Sequence, residues 1–169
     1  MADQDVDATL DAELAQTFAA AAHTSLPRAP LYAALCAAIA GDRELYRLLL
    51  QAPATQRLPV LLLACIHHLL LNDRREELAA WYPNLTDDYR SPDDPALTPT
   101  LKRFVEAHAE PLRALLATRS TQTNEVGRCA LFLAPLGLVA NEVGALGLLD
   151  VGASGGLNLL LDRYGYRFE

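Results

Sequence analysis

Apolar residues recur every three to four positions through most of the chain, which is the spacing that gathers them on one face of a helix. The pattern predicts helices over residues 9–26, 30–40, 43–52, 58–72, 101–118 and 125–144. Residues 1–7 lack the pattern, and we expect them to fray. The segment 58–72 is apolar on nearly every face, so we expect it at the centre of the core.

The predicted helix boundaries carry residues that favour helix ends. Pro30 suits a first helical position, Gly41 suits a C-terminal cap, and Asp42 suits the N-terminal cap of the next helix. Pro111 lies inside the segment 101–118, where it either kinks the helix or begins a second one.

Residues 83–99 change character, because four prolines lie among four aspartates, and this composition predicts a loop. The aspartates lack the alternate spacing and the central glycine of a calcium-binding loop, so the pattern favours a solvated acidic loop. Trp81 and Tyr82 precede the loop, and the favoured interpretation is that they anchor it to the core.

Two adjacent histidines, His67 and His68, lie in the predicted helix 58–72. They could serve as metal ligands or as a general base, or they could be structural histidines that are hydrogen-bonded to their surroundings. Neighbouring residues on a helix point about 100° apart, so the two rings are poorly placed to share one ion. The structural interpretation is therefore favoured.

A polar connector precedes the last predicted helix. Thr123 or Asn124 can cap that helix, and Glu125 suits the positive end of its dipole. The connector has more hydrogen-bonding side chains than one cap requires, and they are candidates for the lining of a pocket. These side chains are Arg119, Gln122, Asn124, Glu125 and Arg128.

The pattern changes again near the end of the sequence, where an apolar pair leads into Asp150 and a run of small residues. Residues 148–151 are predicted to form a buried strand, 152–156 a tight glycine loop, and 157 onward the first turn of a helix. A glycine loop lets the backbone approach a ligand closely, and a helix N-terminus offers free N–H donors. This stretch is the main candidate site.

Composition limits the partners of the protein. The 169 residues are 51% hydrophobic, which is enough for a sizeable core, and the net charge of −7 disfavours nucleic acids and anionic membranes as partners. No apolar run reaches the about 20 residues of a membrane span, and residues 1–10 have no leader pattern. Three widely spaced cysteines favour a reducing compartment, so we expect a cytoplasmic protein.

The string Gly-Ala-Ser-Gly-Gly at residues 152–156 fits two common nucleotide loops poorly. It lacks the second and third glycines of Gly-x-Gly-x-x-Gly, and it has no lysine for a P-loop. It does satisfy Gly-x-Ser-x-Gly, the nucleophile elbow of α/β hydrolases, with Ser154 as the nucleophile. This alternative ranks lower, because Asp162 is too close to act as its acid and no histidine follows Ser154.

An acid two residues before the first glycine, followed by small residues, resembles motif I of class I S-adenosylmethionine-dependent methyltransferases. Asp150, Gly152 and Gly156 match that motif, and Ser154 replaces its middle glycine. The resemblance implies a loop beneath the methionine and ribose of S-adenosylmethionine, with the acid near the amino end of the cofactor. The implied cofactor-binding residues are Asp150, Gly152, Ser154, Gly155, Gly156 and Asn158. No catalytic residue and no metal ligand is assigned.

Three separated strings extend the resemblance to a narrower group. Leu-Leu-Leu-Ala-Cys-Ile-His-His, Thr-Gln-Thr-Asn-Glu-Val-Gly-Arg and Asp-Val-Gly-Ala-Ser-Gly-Gly together resemble a bacterial family of unknown function over most of residues 28–169. Members of that family are longer than this chain, so we expect an N-terminal part. The ribose-binding acid of such a domain would follow residue 169, and this chain alone is expected to bind S-adenosylmethionine weakly or not at all.

The expected fold class is mainly α. Residues 1–145 should form a helical bundle, and 146–169 should form the first strand–loop–helix of an incomplete Rossmann-like, methyltransferase-like α/β domain. A first strand without neighbours would leave apolar surface exposed, so we expect a homo-oligomer. The alternative function is a non-catalytic helical module for interaction or oligomerisation.

Overall fold

The computed structural model describes residues 2–25, 28–122 and 125–167. Their contacts group into two units, Met1–Thr121 (unit 1) and Gln122–Glu169 (unit 2). This division precedes the last α-helix, whereas the sequence pattern changes near residue 145. The expected domain boundary at 145 stays a prediction.

Unit 1 is built of helices, as the apolar spacing predicts. Its α-helices are α1 (Ala2–Ser25), α2 (Pro30–Ala40), α3 (Arg43–Tyr46), α4 (Pro59–Asn72), α5 (Leu97–Ala107) and α6 (Ala109–Thr118). Short 3₁₀ segments lie between some of them: Arg47–Gln51, Ala54–Gln56 and Glu77–Trp81. The predicted acidic loop is confirmed over residues 83–96, whereas 97–99, which were also expected in it, form the first turn of α5.

The core of unit 1 gathers large side chains from its helices and 3₁₀ segments. The largest fully buried ones are Phe18, Leu35, Ile39, Leu49, Leu61, Leu62, Ile66, Leu70, Leu78, Trp81, Tyr82 and Leu101. Four of the twelve lie on α4, which confirms that this nearly all-apolar helix is central. Burial of this apolar surface is the main force that holds the helices together.

Helix α1 begins at Ala2, earlier than the apolar spacing indicates. Polar contacts hold its first turns against α3 and the segment that follows. Asp7 and Asp11 both pair with Arg47, at 2.9 Å in each case, and both also pair with Arg43. These ion pairs join residues more than thirty positions apart, so a pattern of local apolar spacing does not detect them.

The helix ends within unit 1 follow local chemistry. The Asp42 carboxylate accepts hydrogen bonds from the N–H groups of Glu44 and Leu45, which confirms it as the N-cap of α3. The predicted segment 101–118 divides at His108, and Pro111 lies in the first turn of α6. The second-helix interpretation of Pro111 is therefore confirmed, since a proline in the first turn removes no helical hydrogen bond.

Unit 2 consists of α7 (Arg128–Val143), an irregular stretch and a 3₁₀ segment at Leu157–Arg163. Helix α7 ends at Val143, and Gly144 follows with φ of +86° and ψ of −146°, a combination that glycine adopts far more readily than other residues. Cys129 is buried on α7, but many apolar side chains of unit 2 are exposed. None of the described helices combines the length and the apolar character that a membrane crossing requires.

The structure corrects the prediction of a strand at residues 148–151. No described residue belongs to a β-strand, and 146–150 run as irregular backbone. A parallel strand is completed by hydrogen bonds to a neighbouring strand, and the described residues offer none. The helix expected after the loop is a 3₁₀ segment instead of an α-helix. The mainly helical class is confirmed, but the Rossmann-like strand–loop–helix is not formed in this structure.

Candidate functional site

The predicted cofactor loop has an unusual backbone. Gly152, Ser154 and Gly156 all have positive φ, at 81°, 50° and 71°. Only glycine adopts this region without steric cost, so Ser154 holds a conformation that its side chain disfavours. The alternation turns the backbone sharply three times within five residues.

The loop also leaves its glycines open on one side. No described atom lies within 4 Å of the position that a Cβ would take at Gly152 or Gly156, and Gly155 meets only Leu157 there, at 3.9 Å. The N–H of Gly156 donates to the carbonyl of Ala153 at 2.7 Å, which closes a turn. A ligand could therefore approach the backbone, as the predicted role of a cofactor loop requires.

Asp150 and Asn158 flank the loop in different environments. The half-buried Asp150 directly precedes the first turn. Asn158 contacts α7, since its side-chain Oδ1 lies 3.5 Å from the Cys129 thiol, which donates to it. The Tyr164 hydroxyl donates to the Leu157 carbonyl at 2.7 Å and further fixes the 3₁₀ segment. The cofactor-binding roles of the six loop residues stay a prediction.

Two side chains of the polar connector, those of Glu125 and Arg128, form local hydrogen bonds at the start of α7. The Glu125 carboxylate accepts from the N–H of Gly127 at 3.0 Å, and Arg128 Nε donates to the Glu125 carbonyl at 3.3 Å. Glu125, Arg128 and Gln122 are exposed, and Asn124 lies outside the described residues. Arg119 lines a cavity of about 360 Å³ in unit 1. A pocket shared by the whole cluster stays a prediction.

The structure gives the two histidines separate surroundings, and their structural interpretation stays a prediction. His67 Nδ1 lies 3.3 Å from the Tyr32 hydroxyl, and its Nε2 lies 3.0 Å from Asn84 Nδ2. His68 is exposed, and its Nε2 accepts from Asn72 Nδ2 at 3.3 Å. The two rings therefore have separate partners. Within the part of the chain that is described, no group of three His, Cys, Asp or Glu residues could hold a metal ion.

The loop after Trp81 is anchored as predicted. Trp81 Nε1 donates to the carbonyl of Ser91 at 3.1 Å, and the Arg90 guanidinium lies 4.0 Å from the centroid of the indole ring. Arg90 also pairs with Asp94 at 2.7 Å, and the Asp94 carboxylate accepts from the N–H of Ala96. The loop is thus held to the core by its aromatic end and ordered by one of its acids.

A cavity of about 480 Å³, which we call the aromatic cavity, lies between the start of α2 and this loop. Its aromatic lining is Tyr32, Trp81, Tyr82 and Tyr89, and its proline lining is Pro30, Pro83 and Pro92. The sequence did not predict it as a site. The available signal was the concentration of Tyr, Trp and Pro in two segments that are about 50 residues apart.

One hydroxyl in the wall of the aromatic cavity lacks a partner. Tyr82 is 1% exposed, and its Oη is buried without a hydrogen bond to any described group. Burial raises the pKa of Tyr82 and of Tyr32, so both phenols are protonated donors at neutral pH. A buried donor without an acceptor costs roughly 1–3 kcal/mol, which makes Tyr82 exceptional in this core.

His67 should make folding stability depend on pH. Burial holds the pKa of His67 below its usual 6.5. The groups that contact the ring, Tyr32, Tyr82 and Asn84, carry no charge. The unfolded chain therefore takes up this proton more readily, and the contribution of neutral His67 is lost as pH falls through its lowered pKa.

The measurement is urea denaturation of wild type and His67→Gln between pH 7.5 and pH 5. We expect the wild type to lose more stability over this range than the variant, because the variant has no imidazole to protonate. His68→Gln reports any general effect of replacing a histidine on α4. Parallel pH profiles for wild type and His67→Gln would contradict the inference.

The chain matches the model of one protein family. That family is described as an uncharacterized protein conserved in bacteria (DUF2332), and the match spans residues 13–169. No curated protein and no solved structure matches the chain significantly. The resemblance to a bacterial family of unknown function is confirmed, and the methyltransferase resemblance of its loop stays a prediction.

Proposed function

This chain belongs to that bacterial family, and we propose that its loop at residues 150–156 binds S-adenosylmethionine as part of a methyltransferase-like protein. The observation that carries the proposal is the backbone of the loop. Three left-handed residues follow an acid at intervals of two, and two of them are glycines with open space beside them. This arrangement lets a ligand contact the backbone directly.

The residues of the loop suit the charges of this cofactor. When bound, S-adenosylmethionine supplies an activated methyl group on a cationic sulfonium. In our proposal Asp150 offers a carboxylate to the cationic amino end, since opposite charges at short range attract strongly outside bulk water. Gly152, Ser154, Gly155 and Gly156 present backbone atoms to the cofactor. Asn158 fixes the segment after the loop through its contact with Cys129.

Calorimetric titration of the full-length protein with S-adenosylmethionine tests the proposal. We expect Asp150→Ala to weaken binding about tenfold, because hydrogen bonds to charged groups contribute roughly 1.5–3 kcal/mol. Gly152→Val should abolish detectable binding, since valine resists a φ of +81° and adds a side chain on the open side of the loop.

Asp162→Ala is the matched control, because it removes an exposed carboxylate from the 3₁₀ segment of the same unit. It should bind like the wild type. If all three variants keep the wild-type circular dichroism spectrum and the wild-type affinity, the loop is structural and the proposal fails.

We propose as a second function that unit 2 mediates self-association, as expected of a helical interaction module. The supporting observation is exposed apolar surface on α7, where Leu131 is 75% and Leu138 is 69% exposed. Monomeric proteins rarely leave large contiguous apolar patches uncovered. The hydrolase alternative has less support, because no histidine occurs anywhere in residues 122–169 to activate Ser154.

A further inference from the structure

The aromatic cavity of unit 1 has the properties of a ligand site, and we propose that it binds a small aromatic carboxylate whose ring carries a hydrogen-bond acceptor. The proposal concerns unit 1 alone. It is independent of the S-adenosylmethionine loop in unit 2, and either can fail without the other.

The walls of the cavity favour a flat apolar ligand. A volume of about 480 Å³ is large enough for one small molecule. The rings of Tyr32 and Tyr82 are 6.4 Å apart and inclined at 65°, so they pack edge to face against each other in the cavity wall. Proline rings complete the lining with further flat apolar surface. An aromatic ring fits these walls.

Two phenol groups supply hydrogen-bond donors. The Tyr82 hydroxyl is buried and has no partner among the described residues. His67 Nε2 accepts from Asn84 Nδ2, so the neutral ring carries its proton on Nδ1 and donates it to the Tyr32 oxygen. The hydroxyl proton of Tyr32 is then available to a ligand. An acceptor on the ligand ring would take a proton from the Tyr82 hydroxyl, which has no partner among the described residues, or from the Tyr32 hydroxyl.

The charge of the lining selects an anion. Among the described residues that line this cavity, Arg28 is the one that is charged, and it is exposed and forms no ion pair with any of the described residues. A cationic ligand is disfavoured, because the described part of the lining contains no carboxylate and the Arg90 guanidinium already lies over the Trp81 ring. A carboxylate at the mouth of the cavity would pair with Arg28.

Calorimetric titration with three probes of one skeleton tests the proposal. The probes are 3-(4-hydroxyphenyl)propionate, 3-phenylpropionate and 3-(4-hydroxyphenyl)propylamine. We expect the hydroxylated carboxylate to bind most tightly, because it alone combines the anion with the ring acceptor. If the amine binds as well as the carboxylate, or if a proline-rich peptide binds in place of all three probes, the assignment is overturned.

Two variants identify the residues that act on the ligand. Arg28→Gln should weaken binding of the hydroxylated carboxylate about two- to fivefold, which is the range for an exposed charge pair. It should not weaken binding of the amine. Arg74→Gln is the control, because this exposed arginine lies outside the lining of the cavity. If both variants lower carboxylate affinity equally, the effect is general charge and the proposal fails.

Tyr82→Phe tests the unpartnered hydroxyl. It should melt at a higher temperature than the wild type, because it removes a buried polar group without a partner. It should also bind the two carboxylates equally, whereas the wild type prefers the hydroxylated one. A hydroxyl preference that persists in Tyr82→Phe would overturn the proposed role of Tyr82. Tyr32→Phe gives the same comparison at the second phenol.

Discussion

Replacing Phe18 with alanine lowers the free energy of unfolding of unit 1 by about 3–5 kcal/mol. Phe18 lies on α1, is fully buried, and belongs to the central apolar cluster of the unit. The substitution removes the transfer free energy of the ring and leaves a cavity that the rigid helices fill only partly. Domains are stable by about 5–15 kcal/mol, so this loss is a large fraction of the total.

Urea denaturation followed by tryptophan fluorescence measures this effect. The single tryptophan, Trp81, is buried in unit 1, so its emission reports the unfolding of that unit. Phe132→Ala is the matched control, because Phe132 lies on α7 in unit 2 and is 51% exposed. It should change the free energy of unfolding by about 0.5 kcal/mol or less. Equal losses for the two variants would contradict the core assignment.

Replacing Leu131 and Leu138 with glutamate weakens self-association at least about 100-fold. The two residues are seven positions apart on α7, so they share one face of the helix, and both are largely exposed. Burying one leucine contributes about 1.5–3 kcal/mol, and each partner in a symmetric contact would bury two. Glutamate removes this contribution and adds a charge that is costly to bury.

Sedimentation or light scattering at several concentrations measures the association. We expect the wild-type mass to rise with concentration and the Leu131→Glu/Leu138→Glu variant to remain a monomer. Ala114→Glu/Ala117→Glu, on an exposed part of α6, adds the same charge elsewhere and should associate like the wild type. A wild type that stays monomeric at high concentration and binds no hydrophobic dye would disprove the association.

The sequence predicts the helices of unit 1 well because their causes are local. The apolar run at 58–72 becomes α4, and Asp42 caps α3 through bonds to residues two and three positions away. Helix hydrogen bonds and caps join near neighbours, so the pattern of a short segment contains most of the information. The apolar spacing does not predict the start of α1 at Ala2, because ion pairs with residues distant in sequence hold the first turns of this helix.

The apolar pattern of residues 148–151 predicts a strand that the structure does not form. A strand depends on a partner strand, and that partner is not specified within the segment. The residues remain apolar but irregular, and Leu149 and Val151 are 87% and 88% exposed. The exposed apolar surface that we expected from an edge strand therefore occurs, although it lies on α7 and irregular backbone.

The aromatic cavity escaped prediction for a related reason. Tyr32 and Tyr82 meet only because α2 packs beside the segment that follows Trp81. The sequence could predict that His67 and His68 have separate surroundings, because the angle between adjacent helical residues is a local property. It could not identify Tyr32 and Asn84 as the hydrogen-bond partners, which are 35 and 17 positions away.

Because there is open space beside Gly152 and Gly156, backbone torsion determines which mutations the loop can accumulate over evolutionary time. A Cβ at either position would have no described atom within 4 Å, so crowding does not forbid an alanine there. The left-handed torsion does disfavour it, and most strongly for β-branched residues. At Ser154, glycine, asparagine or aspartate would meet the same torsion at little or no cost. Divergence in this loop is therefore limited by backbone torsion and not by packing volume.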